Sequence, residues 1–454
     1  MASTIGISSD DIAAYRKTYA GNPKNKLSEA ICHKYDFIDF CMTGKHCNAK
    51  HVFKHKIAEV KPISNQKATG RCWIFALLNA ARVPFMKHFE IDDFEFSQGY
   101  IFFWDKVERA NYTLHTYLEC AKKKEPVDGR LVQYLLHNPA EDGGQWDMMY
   151  NIINKHGLVP KSVWPESYCT ENSRRINSLL CNKMREFCRR LYKLVENEAT
   201  DEQIETERKQ MMEQIFHVCS IAFGCPPETF TWEYYNKDTP KSFKKLGPIS
   251  PHDFYHEHVK PHFNIFDKIC IVNDPRKTSP YNEMYTVQYL GNMMGGRPTL
   301  YNNQDIEVLK KAAADSIKEG EPVWFGCDVG KFFHRVKGIN DPQAFDYNLL
   351  FGVTVQELDK ADRLIFGESM MTHAMVLTGL SEDEDGKPTK WRVENSWGED
   401  GGDKGYMAAS DEWFSEYVYE VVVDKKFLPK TIVDIQEKAP IILPAWDPMG
   451  ALAC

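Results

Sequence analysis

The chain has 454 residues, 43% hydrophobic and 26% charged, with a formal net charge of −8. That suits a soluble globular protein of two or three domains or one enlarged core, and its acidic balance offers no general attraction for nucleic acid or anionic membranes. No apolar run is long enough to span a bilayer, and 13 thinly spread cysteines argue for reduced thiols in a cytosolic setting, not a disulfide framework.

In chain order, residues 1–60 read as an N-terminal arm, and Met1-Ala2-Ser3-Thr4-Ile5-Gly6 lacks the basic and apolar regions of a secretory signal. Within the arm, Cys32, Cys41, Cys47 and His51 have the spacing of a CCCH zinc finger, around Gly44. The apolar, helix-compatible stretch from Tyr35 to Phe40 would spread these side chains over several faces, so the spacing is read as coincidence and no metal or other cofactor is expected.

Residues 72–83 form an expected helix, with Ile74, Leu77, Leu78 and Ala81 as its buried stripe and Pro84 ending or kinking it. Phe94 to Val107 is a second expected core helix. Asp142-Gly143-Gly144-Gln145-Trp146-Asp147 is a turn that leads into a helical pattern stopped at Gly157. From about Glu171 to Gly224 two charged amphipathic segments follow, one faced by Met184, Phe187, Cys188, Leu191, Leu194 and Val195. The other is faced by Ile204, Met211, Met212, Ile215, Phe216 and Cys219, which suggests an inserted helical hairpin.

Residues 225–300 read as loop-rich. Asp305 to Lys318 is another helix, and strands are expected at 322–327, 374–380 and 390–395. Helices early and strands late make an α+β fold. The expected units are 1–60 (arm), 61–170 (helical half of a catalytic domain), 171–300 (inserted helical lobe), 301–438 (strand-rich half) and 439–454 (C-terminal tail). The lysine runs 122–124 and 241–245 read as solvated faces.

The chemistry gathers at Cys72, which ends Gln66-Lys67-Ala68-Thr69-Gly70-Arg71-Cys72 and opens a helix. The unpaired N–H groups of a first helical turn favour thiolate over thiol, and a thiolate is a strong nucleophile. It needs a base that can return the proton to a leaving amine, an acceptor that orients that base, and donors for an oxyanion. His373, opening a strand, Asn395, ending one, and Gln66, six residues before the thiol, are the candidates. Trp397 stands where it would shield the Asn–His bond and contact substrate.

Together, Gln66 with Gly70-Arg71-Cys72-Trp73, the Gly143-Gly144 turn, His373-Ala374 and Asn395-Ser396-Trp397-Gly398 resemble the papain-type cysteine peptidases. The signature of that family has a small residue and a second Cys before the nucleophile, where this chain has Thr69-Gly70-Arg71. Its His follows by about 130–150 residues, whereas the gap here is about 300, so an insertion is required. Phe94-Glu95-Phe96-Ser97-Gln98, Phe102 to Arg109, Trp391 to Asp400 and Leu443 to Ala453 narrow the likeness, from about residue 50 onward, to the bleomycin hydrolase family. That resemblance implies a papain-like fold and a cytosolic cysteine aminopeptidase that acts on peptides and amides with a free N-terminus. It also implies a homohexamer with sites facing an inner channel, and a tail lying in the cleft whose last residue is removable by self-cleavage. Single-stranded nucleic-acid binding, with the peptidase secondary or vestigial, is the alternative; the acidic charge does not favour it.

The tail has its own logic. Residues 439–454 hold one charged side chain, Asp447, and three prolines, Pro440, Pro444 and Pro448, so an extended strand in a groove is expected rather than a helix. The small Ala453, followed by Cys454, would fit near a nucleophile, and a carboxylate there would exclude long chains and pair with a substrate ammonium.

Overall fold

The computed structural model describes residues 6–42, 51–237 and 241–453. The arm opens with α1 (Ser9–Ala20), whose N-cap Ser8 and Asp11 form a reciprocal capping box, and α2 (Pro23–Cys32), with Pro at its start. Neither helix buries a residue. The arm touches the rest of the chain through Lys24 Nζ to the Asn348 carbonyl at 2.9 Å and through Asp39 to His334 at 2.7 Å.

The helical half is built on α3 (Cys72–Phe89), α4 (Gln98–Lys122) and α5 (Trp146–His156). Two sequence expectations change here. Pro84 does not end α3, which continues to Phe89, because Phe85 and Met86 beyond it are buried and offset the lost hydrogen bond. Nor does α3 bury only one stripe: every residue from Cys72 to Arg82 is buried, as in a central helix. Phe94 and Phe96 lie before α4, which starts at its N-cap Ser97, and pack on Phe85 at 4.7 and 5.0 Å between ring centroids. Next come α6 (Arg174–Glu196) and α7 (Asp201–Phe223), the latter opened by a Thr200–Gln203 capping box. Their apolar faces join one continuous buried cluster with α3, α4 and α5.

The stretch read as loop-rich holds a hairpin, β1 (Phe230–Tyr235) with β2 (Phe243–Ile249), and the strands β3 (Lys268–Val272) and β4 (Glu283–Val287). β3 is a fully buried five-residue run, too short to show a period among its Pro and His flanks. β5 (Tyr301–Asn303), α8 (Ile306–Lys318), β6 (Val323–Cys327), β7 (His373–Glu382), β8 (Pro388–Glu394), β9 (Tyr406–Ser410), β10 (Val418–Asp424) and β11 (Ile441–Leu443) follow. Among the described residues the large sheet has 12 strands, running β11-β4-β5-β3-β10-β6-β7-β8-β9 and then two two-residue strands, with His55–Lys56 added on β7. The β10-β6-β7-β8-β9 centre is antiparallel. One face joins the helical cluster and the other packs on α8 and the helix Asp411–Tyr417. The fold is α+β, and the cleft lies where α3 meets β7.

Candidate active site

Cys72 is the first residue of α3, and its N-cap, Arg71, gives no side-chain hydrogen bond to the helix. The Cys72 and Trp73 N–H groups of the first turn therefore face the sulfur, while the Ile74 N–H donates to the Arg71 carbonyl. Arg71 is turned inward instead: it pairs with Glu166 at 2.9 Å and lies over the rings of Phe75 and Phe102. Trp324 Nε1 donates to the Trp73 carbonyl at 3.2 Å, which ties the start of α3 to β6. Farther along, the buried Arg82–Glu394 pair at 2.9 Å ties α3 to the end of β8.

Antiparallel pairing brings the other two groups together. His373 opens β7, and Asn395 follows β8, so the start of one strand meets the end of the next. His373 Nε2 and Asn395 Oδ1 are 2.9 Å apart and buried. Asn395 Oδ1 also accepts from the Ser396 N–H at 2.8 Å, so the acceptor is held from two sides. The ring of Trp397 lies 4.9 Å from that of His373. Gln66 arrives through a backbone bridge between Asn65 and Trp397 and a Gln66 N–H to Ser396 carbonyl bond of 2.8 Å. Ser396 Oγ donates to Gln66 Oε1 at 2.6 Å, and Gln66 Nε2 donates to the Thr69 carbonyl at 2.7 Å, which leaves one amide hydrogen uncommitted.

The electrostatics have one cause. Burial pushes the Cys72 thiol up to about 11, against the N–H groups of Ala374, Trp73 and Cys72 itself, which favour thiolate. Burial also pushes the His373 imidazole down to about 4, against the Asn395 oxygen, which favours imidazolium. Burial thus favours the neutral form of both groups. A proton moved from sulfur to imidazole makes two opposite charges in a dry site, where their attraction offsets part of the burial cost.

The opposite wall is Gly143-Gly144. A Cβ on Gly144 would run into the Trp73 ring, and one on Gly143 into the Leu452 carbonyl, so the absence of side chains lets the tail pass. Asp142 anchors this wall. Burial would raise its carboxyl, but Lys106 at 2.8 Å, with Ser173 and Asn177, holds it down at about 2. It also accepts the Gly70 N–H at 3.2 Å, two residues before the thiol.

The tail is extended only at its start, where β11 pairs in parallel with β4. Pro448–Ala453 then forms a 3₁₀ turn, contrary to the extended reading, because the Asp447 carboxylate accepts the Met449 N–H at 3.0 Å and starts it. Ala453 lies against Gly143, and Cys454 is outside the described residues. Sequence reasoning missed Asp142 and Ser396, whose partners are remote in the chain.

The four residues of the zinc-like spacing are only partly within the described residues. Cys47 lies outside the described residues, Cys32 is exposed, and burial raises the Cys41 thiol and lowers the His51 imidazole. Among the described residues no group of three His, Cys, Asp or Glu is placed to hold a metal, and no helix is long and apolar enough to cross a membrane. Of the lysine runs, Lys122, Lys123, Lys241 and Lys245 are each paired with a carboxylate.

Residues 6–450 match the model of the peptidase C1-like family. The chain is 56% identical over 455 residues to human bleomycin hydrolase, covering 99% of this chain and 100% of that one. It is 44% identical over 404 residues to aminopeptidase C of Listeria monocytogenes, covering 88% of each. The crystal structure of PepW from Lactobacillus rhamnosis superposes with a TM-score of 0.93 at 40% identity, covering 98% of this chain and 99% of that one. The likeness spans the cleft, the helical hairpin and nearly all of the tail, and the chain belongs to the peptidase C1-like family, on the branch that includes bleomycin hydrolase.

Proposed function

We propose that this chain is a cysteine aminopeptidase in which Cys72 is the nucleophile, His373 the acid and base, Asn395 its orienting acceptor and Gln66 an oxyanion donor. The buried His373–Asn395 contact, with the adjoining Ala374 N–H directed at the helix-opening thiol, carries the reading. Nε2 donates to Asn395, which leaves Nδ1 for the sulfur proton. The thiolate attacks the substrate carbonyl carbon, and the oxyanion takes a bond from Gln66 and a helix-start N–H. Imidazolium returns the proton to the leaving amine as the C–N bond breaks. Imidazole then draws a proton from water, whose oxygen attacks the thioester, and the thiol is restored.

Kinship with bleomycin hydrolase and aminopeptidase C supports peptide and amide substrates with a free N-terminus. The tail, with Ala453 against Gly143, fills the cleft on one side and limits cleavage to the first bond, with Cys454 and Trp397 as substrate contacts. The unit boundaries given above, a homohexamer and a cytoplasmic setting belong to the same proposal. Substrate pairs with free and acetylated N-termini test it: free peptides should turn over far faster, and Cys72→Ala should abolish both rates. Equal rates on the two would end the aminopeptidase reading, and activity surviving Cys72→Ala would end the thiol mechanism.

A further inference from the structure

The only charged side chain of the tail is buried, and its partner is prepared. Arg276 Nη2 meets Asp447 Oδ1 at 2.9 Å and Nη1 meets Oδ2 at 3.1 Å, a two-pronged contact with both side chains nearly enclosed. Arg276 is itself gripped by Asp274, Nη2 to Oδ2 at 2.7 Å and Nε to Oδ1 at 2.9 Å. The Asp274 backbone is fixed in turn by Asn303, which accepts its N–H at 2.8 Å and donates to its carbonyl at 3.0 Å. Asp447 thus does two things: its carboxylate holds the tail to the body and starts the 3₁₀ turn that delivers Ala453 to Gly143.

Apolar packing closes the same seam only in part: Met449 and Leu452 join the buried helical cluster, but two alanines of the tail border a void. A cavity of about 120 Å³, lined by Tyr112, Tyr134 and Tyr289, lies against Ala445 and Ala453. Small side chains beside a void contribute little holding contact. Ties other than ion pairs also hold the tail: Tyr301 Oη donates to the Met449 carbonyl at 3.0 Å, and Arg130 stacks on Trp446 at 4.0 Å.

We propose that the Arg276–Asp447 pair is a specificity-determining latch, which keeps the turn 448–453 in the cleft and so sets the preference for free over blocked N-termini. This rests on the tail role proposed above. Arg276 touches no reacting atom; it is a positioning residue. Removing Arg276 leaves the Asp447 carboxylate buried and unpaired, and removing the Asp447 charge leaves Arg276 held by Asp274 alone with no ion pair to the tail, so in both cases the turn should swing out.

The test compares the intact chain with Arg276→Met, Asp447→Asn and a chain lacking residues 447–454. Each is assayed on free and N-acetylated forms of one peptide amide, with melting temperatures to establish folding. In both substitutions the ratio of kcat/KM, acetylated over free, should rise about tenfold or more, the scale of a lost buried charged hydrogen bond. KM for the free substrate should rise while kcat stays within about twofold, a split that general loss of fold does not produce. If the truncated chain shows the rise and both substitutions keep the native ratio, the latch is refuted and the tail reading stands. If truncation leaves the ratio unchanged, both fall. Should Arg276→Met fail to fold, Asp447→Asn decides alone, since its side-chain oxygen can still accept the Met449 N–H.

Discussion

The floor of the cleft and the tail that roofs it are built from opposite chemistry. On the floor, Cys72 and His373 sit in dry, aromatic surroundings with few fixed partners, and burial drives both to neutrality. In the roof, Asp447 and Arg276 are also buried, yet each is saturated with charged bonds. Groups that must change charge during a reaction are left electrically unpaired, whereas groups that only hold position are neutralised on all sides. Burial alone does not make a residue reactive, as the buried core thiols of Cys188 and Cys219 illustrate; here a thiol and an imidazole share one cleft without a permanent counter-ion.

That contrast can be broken at the floor first. Gln66→Ala should cost about 10²–10³ in kcat with little change in KM, as loss of an oxyanion donor does, and steady-state kinetics read it. An unchanged kcat would place the donor elsewhere. Asn395→Ala should have a smaller effect, about tenfold in kcat, with a directional pH signature. The Asn395 oxygen raises the His373 pKa against burial, so without it the imidazolium loses its proton at lower pH. The acid limb of the kcat/KM profile, which reports protonation of the His373 base, should then move down, and a shift upward would contradict the orienting role.

The smallest effect sharpens the comparison at the wall between floor and roof. Asp142, held at about 2 when folded against an ordinary value of 3.8, binds fewer protons folded than unfolded. Its contribution of about 2 kcal/mol is therefore present above the ordinary value and lost as pH falls from 3.8 toward 2. Asp142→Asn should lower stability by about that amount at neutral pH, with the gap to the native chain narrowing through that window in urea titrations. A gap constant with pH would mean that the pair with Lys106 contributes nothing.

Much of the floor was legible because its residues carry local signals: a helix start at Cys72, a strand start at His373 and a strand end at Asn395. The helical pair 174–196 and 201–223 was legible from its period. What escaped depended on distant partners. The course of α3 past Pro84 is set by the burial of Phe85 and Met86. The short strand β3 has no readable period of its own. The turn in the tail follows from the Asp447 cap, and the latch joins residues 171 positions apart. Asp447 was nonetheless conspicuous as a lone charge in an apolar segment, a sign that a complement waits in the body.

The tail has a second part whose effect is separate from the cleft. Through β11 it covers the outer rim of β4, with Ile441 to Leu443 laid along Tyr285 to Val287. A protease cut after Leu443 would open the groove yet keep that rim sealed. A cut before Ile441 would strip both, and bare a row of backbone amides and carbonyls able to zip onto a neighbouring molecule. Loss of selectivity and onset of clumping should therefore appear at different cut sites.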